Sequence, residues 1–397
     1  MLYNDFQGLK LSALGFGTMR LPVLADGQID QEELDRMVDA AMAAGVNYYD
    51  TAYPYHGSMS EPAIGRSLAR YPRESWYLAT KFPGHQNVHG VKPLLPEEVF
   101  EEQLQKCGVD FFDFYLIHNV NENSLAYYGN PENRFMDYFV EQKRQGRIRH
   151  LGFSCHAAPA GLKRFLKLYG EHMEFCQIQL NFVDWKLQEA EKKCEILKAA
   201  GLPVWVMEPV RGGKLAHFAP EIEAKMKALR PDESIPAWCF RWLRTVPKPT
   251  MILSGMSNLE QMQDNLRTFR EDRPLNEEEL ALVYEAAASL ARMIPCTGCR
   301  YCCAGCPMEL DIPGLLGMSN DMAVQNNFNT VARYGAIPDD KKASACIACG
   351  QCMEACPQKI KVPEEMQRLA ELMSGQKTWE EICRERAEAA EAAKNKK

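Results

Sequence analysis

The chain has 397 residues, 46% of them hydrophobic and 25% charged, and its 46 Lys and Arg against 53 Asp and Glu leave a net charge of −7. The length calls for one large domain with an addition, and the acidic balance excludes the basic face with which proteins hold nucleic acid. No apolar run reaches the ~18 residues of a membrane span, and "MLYNDFQGLKLSALGFG" lacks the basic-then-apolar order of a secretory leader, so a cytoplasmic protein with no nucleic-acid or membrane partner is expected.

From the start, "MLYNDF" and "LKLSAL" predict a hairpin closing a barrel floor, and "LSALGFG" (11–17) predicts the first barrel strand. "DQEELDRMVDAAMAAG" has an acidic start, apolar residues at helical spacing and a Gly stop, which predicts a helix over about 30–44. "VNYYD", "SWYLATK", "FFDFYLIH", "IRHLGFS", "FCQIQLN", "LPVWVME" and "PTMILSG" follow as strands, with helical stretches between them. Eight strands in β/α alternation predict an α/β fold, a (β/α)8 TIM barrel, over 1–274. "NEEELALVYEAAASLARMI" predicts a connecting helix at 275–293, ahead of a small, mostly α-helical, cysteine-rich domain at 294–375 and a charged, Ala-rich tail helix at 376–397.

In such a barrel the active site lies where strands end. The ends read Asp50, Lys81, His118, Ser154, Gln177 to Asn181, Met207 with Glu208, and Ser254 with Gly255; Tyr55 follows Asp50 in "DTAYPYHG". Alone, each of these is more often a cap, a solvated residue or a core histidine. Together, Asp50, Tyr55, Lys81 and His118 fit reduction of a carbonyl. Hydride addition puts negative charge on the oxygen, so a proton donor must stand beside it. A tyrosine near pKa ~10 becomes a better donor when an ammonium lowers that value and a carboxylate holds the ammonium in place. Tyr55, Lys81 and Asp50 suit those parts, and His118 suits a hydrogen bond that orients the carbonyl. Tyr53, Phe82, Tyr127, Tyr128 and Trp185 are either the walls of a pocket for a small carbonyl or alcohol substrate or ordinary loop packing.

Nine of the fifteen cysteines sit in "CTGCRYCCAGCP" (296–307) and "CIACGQCMEACP" (346–357), and eight of the nine fall on a repeated spacing. Each is C-x2-C-x2-C-x3-C-P, the spacing that holds iron–sulfur clusters, and zinc ribbons use pairs of C-x2-C instead. Two 4Fe–4S clusters are expected. In two-cluster proteins the fourth cysteine of each run ligates the other cluster. Cluster one then takes Cys296, Cys299, Cys302 and Cys356, and cluster two takes Cys346, Cys349, Cys352 and Cys306, with Cys303 a non-ligand.

"GFGTMRLP", "DTAYPYHG", "LATKF", "YLIHN", "GFS", "QIQLN" and "SGMSNLEQMQDN" resemble the aldo-keto reductases in order and position over about residues 1–270. Barrel and cysteine-rich tail together resemble the subgroup with a C-terminal ferredoxin domain. The resemblance implies that Asp50, Tyr55, Lys81 and His118 are a catalytic tetrad with Tyr55 as general acid. It also implies that NAD(P)H is bound near Gly17, Thr18 and Met19, with Ser154 and Gln177 on the nicotinamide carboxamide. Cys155 stands where the family has an asparagine, and Met207 where an aromatic residue stacks on the nicotinamide. Arg211, Gly212 and Gly213 offer a phosphate loop, and Ser254, Gly255, Met256, Asn258, Gln261 and Asn265 match the adenosine side. Gly255 and Gln261 replace the usual 2′-phosphate grips, so NAD is expected to bind at least as well as NADP.

Hydride moves two electrons and a cluster one, so a flavin is the usual intermediary. Three readings follow: a carbonyl reductase using NAD(P)H, an FMN-containing barrel coupled to the clusters or to a ferredoxin-like partner, and a non-catalytic electron carrier or redox sensor. The tetrad disfavours the third, since a scaffold has no need of Tyr55 and Lys81 together, and the first is the preferred reading of the remaining two.

Overall fold

The chain opens on a hairpin in which β1 (Tyr3–Phe6) pairs antiparallel with β2 (Leu9–Ser12) around Gln7 and Gly8, both in the left-handed region. Eight parallel strands follow: β3 (Leu14–Gly17), β4 (Tyr48–Asp50), β5 (Tyr77–Phe82), β6 (Phe112–Val120), β7 (Ile148–Cys155), β8 (Cys176–Gln179), β9 (Val204–Met207) and β10 (Met251–Gly255). Their order is β10-β3-β4-β5-β6-β7-β8-β9, with β10 also paired to β9, so the sheet closes into the expected barrel. The computed structural model describes residues 1–377 except 89–93, 123, 291–293, 295, 297–299, 325–327, 336 and 357–359. Cys299 and the tail helix lie outside the described residues.

Phe6 shows why the hairpin matters. Its ring is 4.9 Å from Trp205 and 5.8 Å from Phe114, in a buried cluster with Tyr48, Phe175 and Met251 at the N-terminal ends of the strands. Aromatic rings thus fill the barrel floor, leaving the chemistry to the loops at the other end.

The helices follow the sequence pattern. In α1 (Gln31–Ala43) the Asp30 carboxylate caps the Glu33 amide, and Leu34, Met37, Val38 and Ala41 form the buried stripe. α2 (Ser60–Leu68) and α3 (Pro96–Cys107) pack so closely that a side chain at Gly65 would collide with the Cys107 carbonyl. Arg230 grips Glu279 with two hydrogen bonds of 2.7 and 2.8 Å, pinning the first turn of the helix Glu277–Leu290.

The chain divides into two compact units, 1–284 and 285–397, and the division falls within that helix. The second unit is helical, with helices at Tyr301–Ala304, Ile312–Val324, Phe328–Gly335, Gln351–Glu354 and Val362–Ser374. Leu310, Ile312, Leu315, Leu316, Val362, Met366 and Leu369 form its core together with Cys302 and Cys352. Among the described residues no helix is long and apolar enough to cross a membrane.

Candidate active site

β4, β5 and β6 carry Asp50, Lys81 and His118 to one place because neighbouring parallel strands end side by side. Lys81 is fully buried, and its Nζ donates to Asp50 Oδ1 at 2.6 Å and to the Thr51 carbonyl at 2.7 Å. The ammonium stands 4.9 Å from the centre of the Tyr55 ring, and that ring meets His118 edge-on at 5.9 Å. The four expected residues are therefore together.

Burial pushes the Tyr55 phenol up, and Lys81 pulls it only part of the way back. The expectation of a lowered tyrosine is corrected to that extent: in a buried site desolvation of the phenolate outweighs the neighbouring charge. Burial favours a neutral amine at Lys81, but Asp50 and Tyr55 outweigh it and hold the ammonium above the ordinary lysine range. Burial, then Lys81, His85 and His156, keep His118 well below the ordinary histidine range, so its imidazole is neutral. Tyr128 fixes the His118 backbone: its hydroxyl donates to the His118 carbonyl at 2.6 Å and accepts from the His85 amide at 2.9 Å.

A hydroxyl chain holds the adjoining backbone. The amide and hydroxyl of Thr18 both donate to the Asp50 carbonyl at 2.9 Å, and Ser60 Oγ bridges the Thr18 and Thr51 hydroxyls at 2.7 and 2.9 Å. Gly17 and Thr18 are thus locked to the tetrad strand, whereas Met19 is exposed.

On the next strands, Ser154 Oγ accepts from the Asn119 amide at 2.8 Å, which leaves its own proton to donate. Gln177 is buried, and its Oε1 has no hydrogen-bond partner. A free buried acceptor beside a free hydroxyl donor matches the two ends of a carboxamide. Met207 is half-buried at the end of β9. Cys155 is fully buried, its thiol pushed up to about 11 chiefly by burial, and does not join the open loops.

Arg211 is buried, and its Nε donates to Asp184 Oδ1 at 3.2 Å, which ties the loop after β9 to Asp184. Asp184 in turn accepts from Gln179 at 2.8 Å and Asn181 at 2.6 Å. Gly212 and Gly213 follow with φ of +66° and +91°. After β10, Asn265 donates to Ser254 Oγ at 2.9 Å, Met256 is buried and Gly255 exposed. Asn258 caps the Gln261 amide, and the Gln261 side chain accepts from Ser257.

A cation on this side is Arg20, to which sequence reasoning assigned nothing; Arg211 and Lys214 also act on the neighbouring Glu208 carboxylate. The side-chain carbons of Arg20 lie 3.4–3.6 Å from where a Cβ on Gly255 would stand, and Nη2 lies 2.7 Å from that point on Gly212. Arg20 thus reaches from the loop after β10 to the loop after β9, and both glycines give it room. Glu208, named only as a strand end, shares the place: Oε2 lies 3.9 Å from the Gly212 point, and its own backbone is left-handed at φ +55°. The signal for Arg20 was a base in the first βα loop. Of the aromatic residues, Tyr53 donates to Glu102 at 3.0 Å, and Phe82 and Tyr128 are fully buried, so these three pack the wall.

In the second unit Cys306, from the first motif, lines one pocket with Cys346, Cys349 and Cys352 from the second. Met308, Ile312, Val362 and Met366 supply its apolar wall. Cys302 is buried, its thiol pushed up to about 12 by burial and then by Cys303 and Cys296 beside it. Cys356 is half-buried against the same core. Four cysteines from the two motifs line one apolar pocket, a donor set whose chemistry suits an iron–sulfur cluster, and among the described residues no three such groups are drawn together around a single metal ion.

A closed barrel followed by a helical iron–sulfur unit makes this a redox enzyme of two parts. Residues 13–288 match the aldo/keto reductase family and residues 295–360 match the 4Fe-4S dicluster domain. The chain belongs to the aldo/keto reductase family. The NADH-specific methylglyoxal reductase of Escherichia coli (strain K12) is 24% identical over 331 residues, covering 72% of this chain and 97% of that protein. An aldo-keto reductase from Bacillus halodurans in its holo form superposes with a TM-score of 0.57 at 22% identity, covering 72% of this chain and 96% of that one. An aldo/keto reductase from Klebsiella pneumoniae in complex with NADP and acetate gives 0.55 at 19% identity, covering 71% and 93%. At such identity the two structures speak for the fold alone.

Proposed function

We propose that the barrel reduces the carbonyl of a small organic molecule with NAD(P)H, and that the second unit carries two 4Fe–4S clusters serving a ferredoxin-like or other one-electron partner. The observation that carries the first part is the buried Lys81 ammonium, held by Asp50 and the Thr51 carbonyl beneath the Tyr55 ring. When bound, the dinucleotide supplies the hydride. His118, neutral, donates a hydrogen bond that orients the carbonyl. Tyr55 gives its proton to the oxygen as charge develops there, and Lys81 stabilises the tyrosinate left behind. The free acceptor on Gln177 and the free donor on Ser154 support a nicotinamide carboxamide at that end. Arg20 is the phosphate cation in this reading.

NAD(H) is proposed to bind at least as well as NADP(H), since Gly255 has no charge and Gln261 is already engaged with Ser257 at 2.8 Å. The Escherichia coli relative is named for NADH, whereas the Klebsiella structure holds NADP. In the second unit, Cys306 with Cys346, Cys349 and Cys352 is the proposed ligand set of cluster two. Cys296, Cys299, Cys302 and Cys356 are proposed for cluster one.

The test pairs a variant with a titration. Tyr55→Phe is expected to lower carbonyl reduction by ~10²-fold or more with iron content unchanged, and the parent protein to bind NADH stoichiometrically. Parent-level rates in the variant would overturn the tetrad reading. Flavin extracted at one per chain, with no dinucleotide binding, would replace it with the FMN reading.

A further inference from the structure

His56 directly follows Tyr55 and has no part in the chemistry above. It opens an unusual stretch: His56, Gly57 and Ser58 are all left-handed, at φ +51°, +61° and +70°, and two of the three are not glycine. Such a run costs free energy and persists only where other contacts hold it. His56 Nε2 accepts a hydrogen bond of 3.1 Å from the Leu21 amide, across from the loop that follows β3. The other end of that loop is fastened by Thr18 to the Asp50 carbonyl and the Ser60 hydroxyl. Met19 and Arg20 are thus held between two anchors, both on the segment from Asp50 to Ser60 that bears Tyr55. Burial keeps His56 below the ordinary histidine range although a hydrogen bond with the Met19 backbone, in the same loop, acts against it, and the neutral ring can accept from Leu21.

We propose that His56 is a positioning residue that fixes the first βα loop to the Tyr55 segment, so that Arg20 is set over the Gly212 loop in register with the proton donor. The proposal rests on the dinucleotide reading, with Arg20 as its phosphate cation. Its consequence is that dinucleotide affinity depends on an imidazole that never touches the dinucleotide.

The experiment uses the full-length, cluster-loaded protein. Loss of one such hydrogen bond corresponds to about five- to tenfold in binding, so His56→Ala is expected to weaken NADH by about that factor in a fluorescence titration. KM for NADH should rise more than kcat falls. His56→Gln, whose amide oxygen can accept from Leu21, should recover most of the affinity. Arg20→Ala should weaken NADH, and adding His56→Ala to it should bring little further loss, because both act through one contact. Independent, multiplying losses would overturn the proposal, as would parent affinity in His56→Ala. Hydrogen exchange at the Leu21 amide, measured without cofactor, should accelerate in His56→Ala; unchanged protection there would also overturn it. Failure of the parent protein to bind NADH or NADPH would instead reject the dinucleotide reading, and the exchange measurement would still decide the loop contact.

Discussion

Tyr55 lies under opposed influences, with burial raising its pKa and Lys81 lowering it, and burial is the larger. Removing the ammonium in Lys81→Met leaves burial unopposed. The alkaline limb of kcat/KM should then move further up, and the rate should fall by ~10²-fold or more, because a weaker acid protonates the oxygen less readily. A pH–rate profile reads both; an unmoved limb would separate Lys81 from the proton donor. His118 gives a second pH effect. Its pKa is lowered on folding, so between that value and the unfolded ~6.5 the unfolded chain holds the extra proton. Stability therefore rises with pH across this window and is lost as pH falls below ~6.5, with a slope approaching about 1.4 kcal/mol per pH unit for one proton. Urea unfolding between pH 5 and 7 should show a shallower slope in His118→Asn. That Asp50, Tyr55, Lys81 and His118 meet was legible because their polar groups follow apolar strands in a fixed order. Arg20 was not, since its significance depends on Gly212 and Gly255, which are far away in the chain. His56 was hidden for the same reason, its partner being the Leu21 amide.

Strands and helices were read from periodicity, and the barrel followed because eight apolar runs alternate with amphipathic ones. Loop contacts follow no period. Nothing in "PVRGGKL" indicates that Arg211 turns to Asp184, a contact made from a left-handed backbone at Arg211, φ +48°. The same holds for Phe82 and Tyr128, whose rings pack with Phe135 at 6.2 and 5.3 Å instead of facing a substrate. Gly65 shows what close helix contact demands. Glycine inside a helix costs up to about 1 kcal/mol relative to alanine, so an exposed Gly65→Ala would stabilise α2. Here the new methyl meets the Cys107 carbonyl at the end of α3, and backbone cannot swing aside as a side chain can. Overpacking of about 1–3 kcal/mol should exceed the propensity gain. Gly65→Ala is therefore expected to lower the thermal midpoint of the barrel without changing iron content. A raised midpoint would mean that α2 and α3 part easily, and that Ser60 at the start of α2 is less firmly set than the hydroxyl chain suggests.

The chain joins two kinds of electron chemistry, and its folding unites the motifs of the second unit. Cys306 is four residues beyond Cys302 in sequence, yet it lines a pocket with Cys346, Cys349 and Cys352. If each cluster draws its fourth ligand from the other motif, neither motif can build a cluster alone. The two stretches are then tied together by iron as well as by the core around Leu315, Met366 and Leu369. Metal binding in such small units is coupled to folding, since thiols that a closed fold holds protonated must ionise as the metal enters. Cys302, raised to about 12 by burial and its neighbours, is such a thiol. The prediction is that the parent protein, prepared anaerobically, carries about eight irons with matching sulfide. Cys306→Ala should fall toward about four, losing the cluster whose other three ligands lie some forty residues away in sequence. Electron paramagnetic resonance of the reduced protein should change from the spectrum of two interacting centres to that of one. Loss of the cluster held by Cys296 and Cys302, with the other intact, would instead mean that each motif keeps its own fourth cysteine. The barrel provides the control: Cys306→Ala should retain NADH binding, because the residues proposed to hold the dinucleotide, Arg20, Ser154 and Gln177, all belong to the first unit.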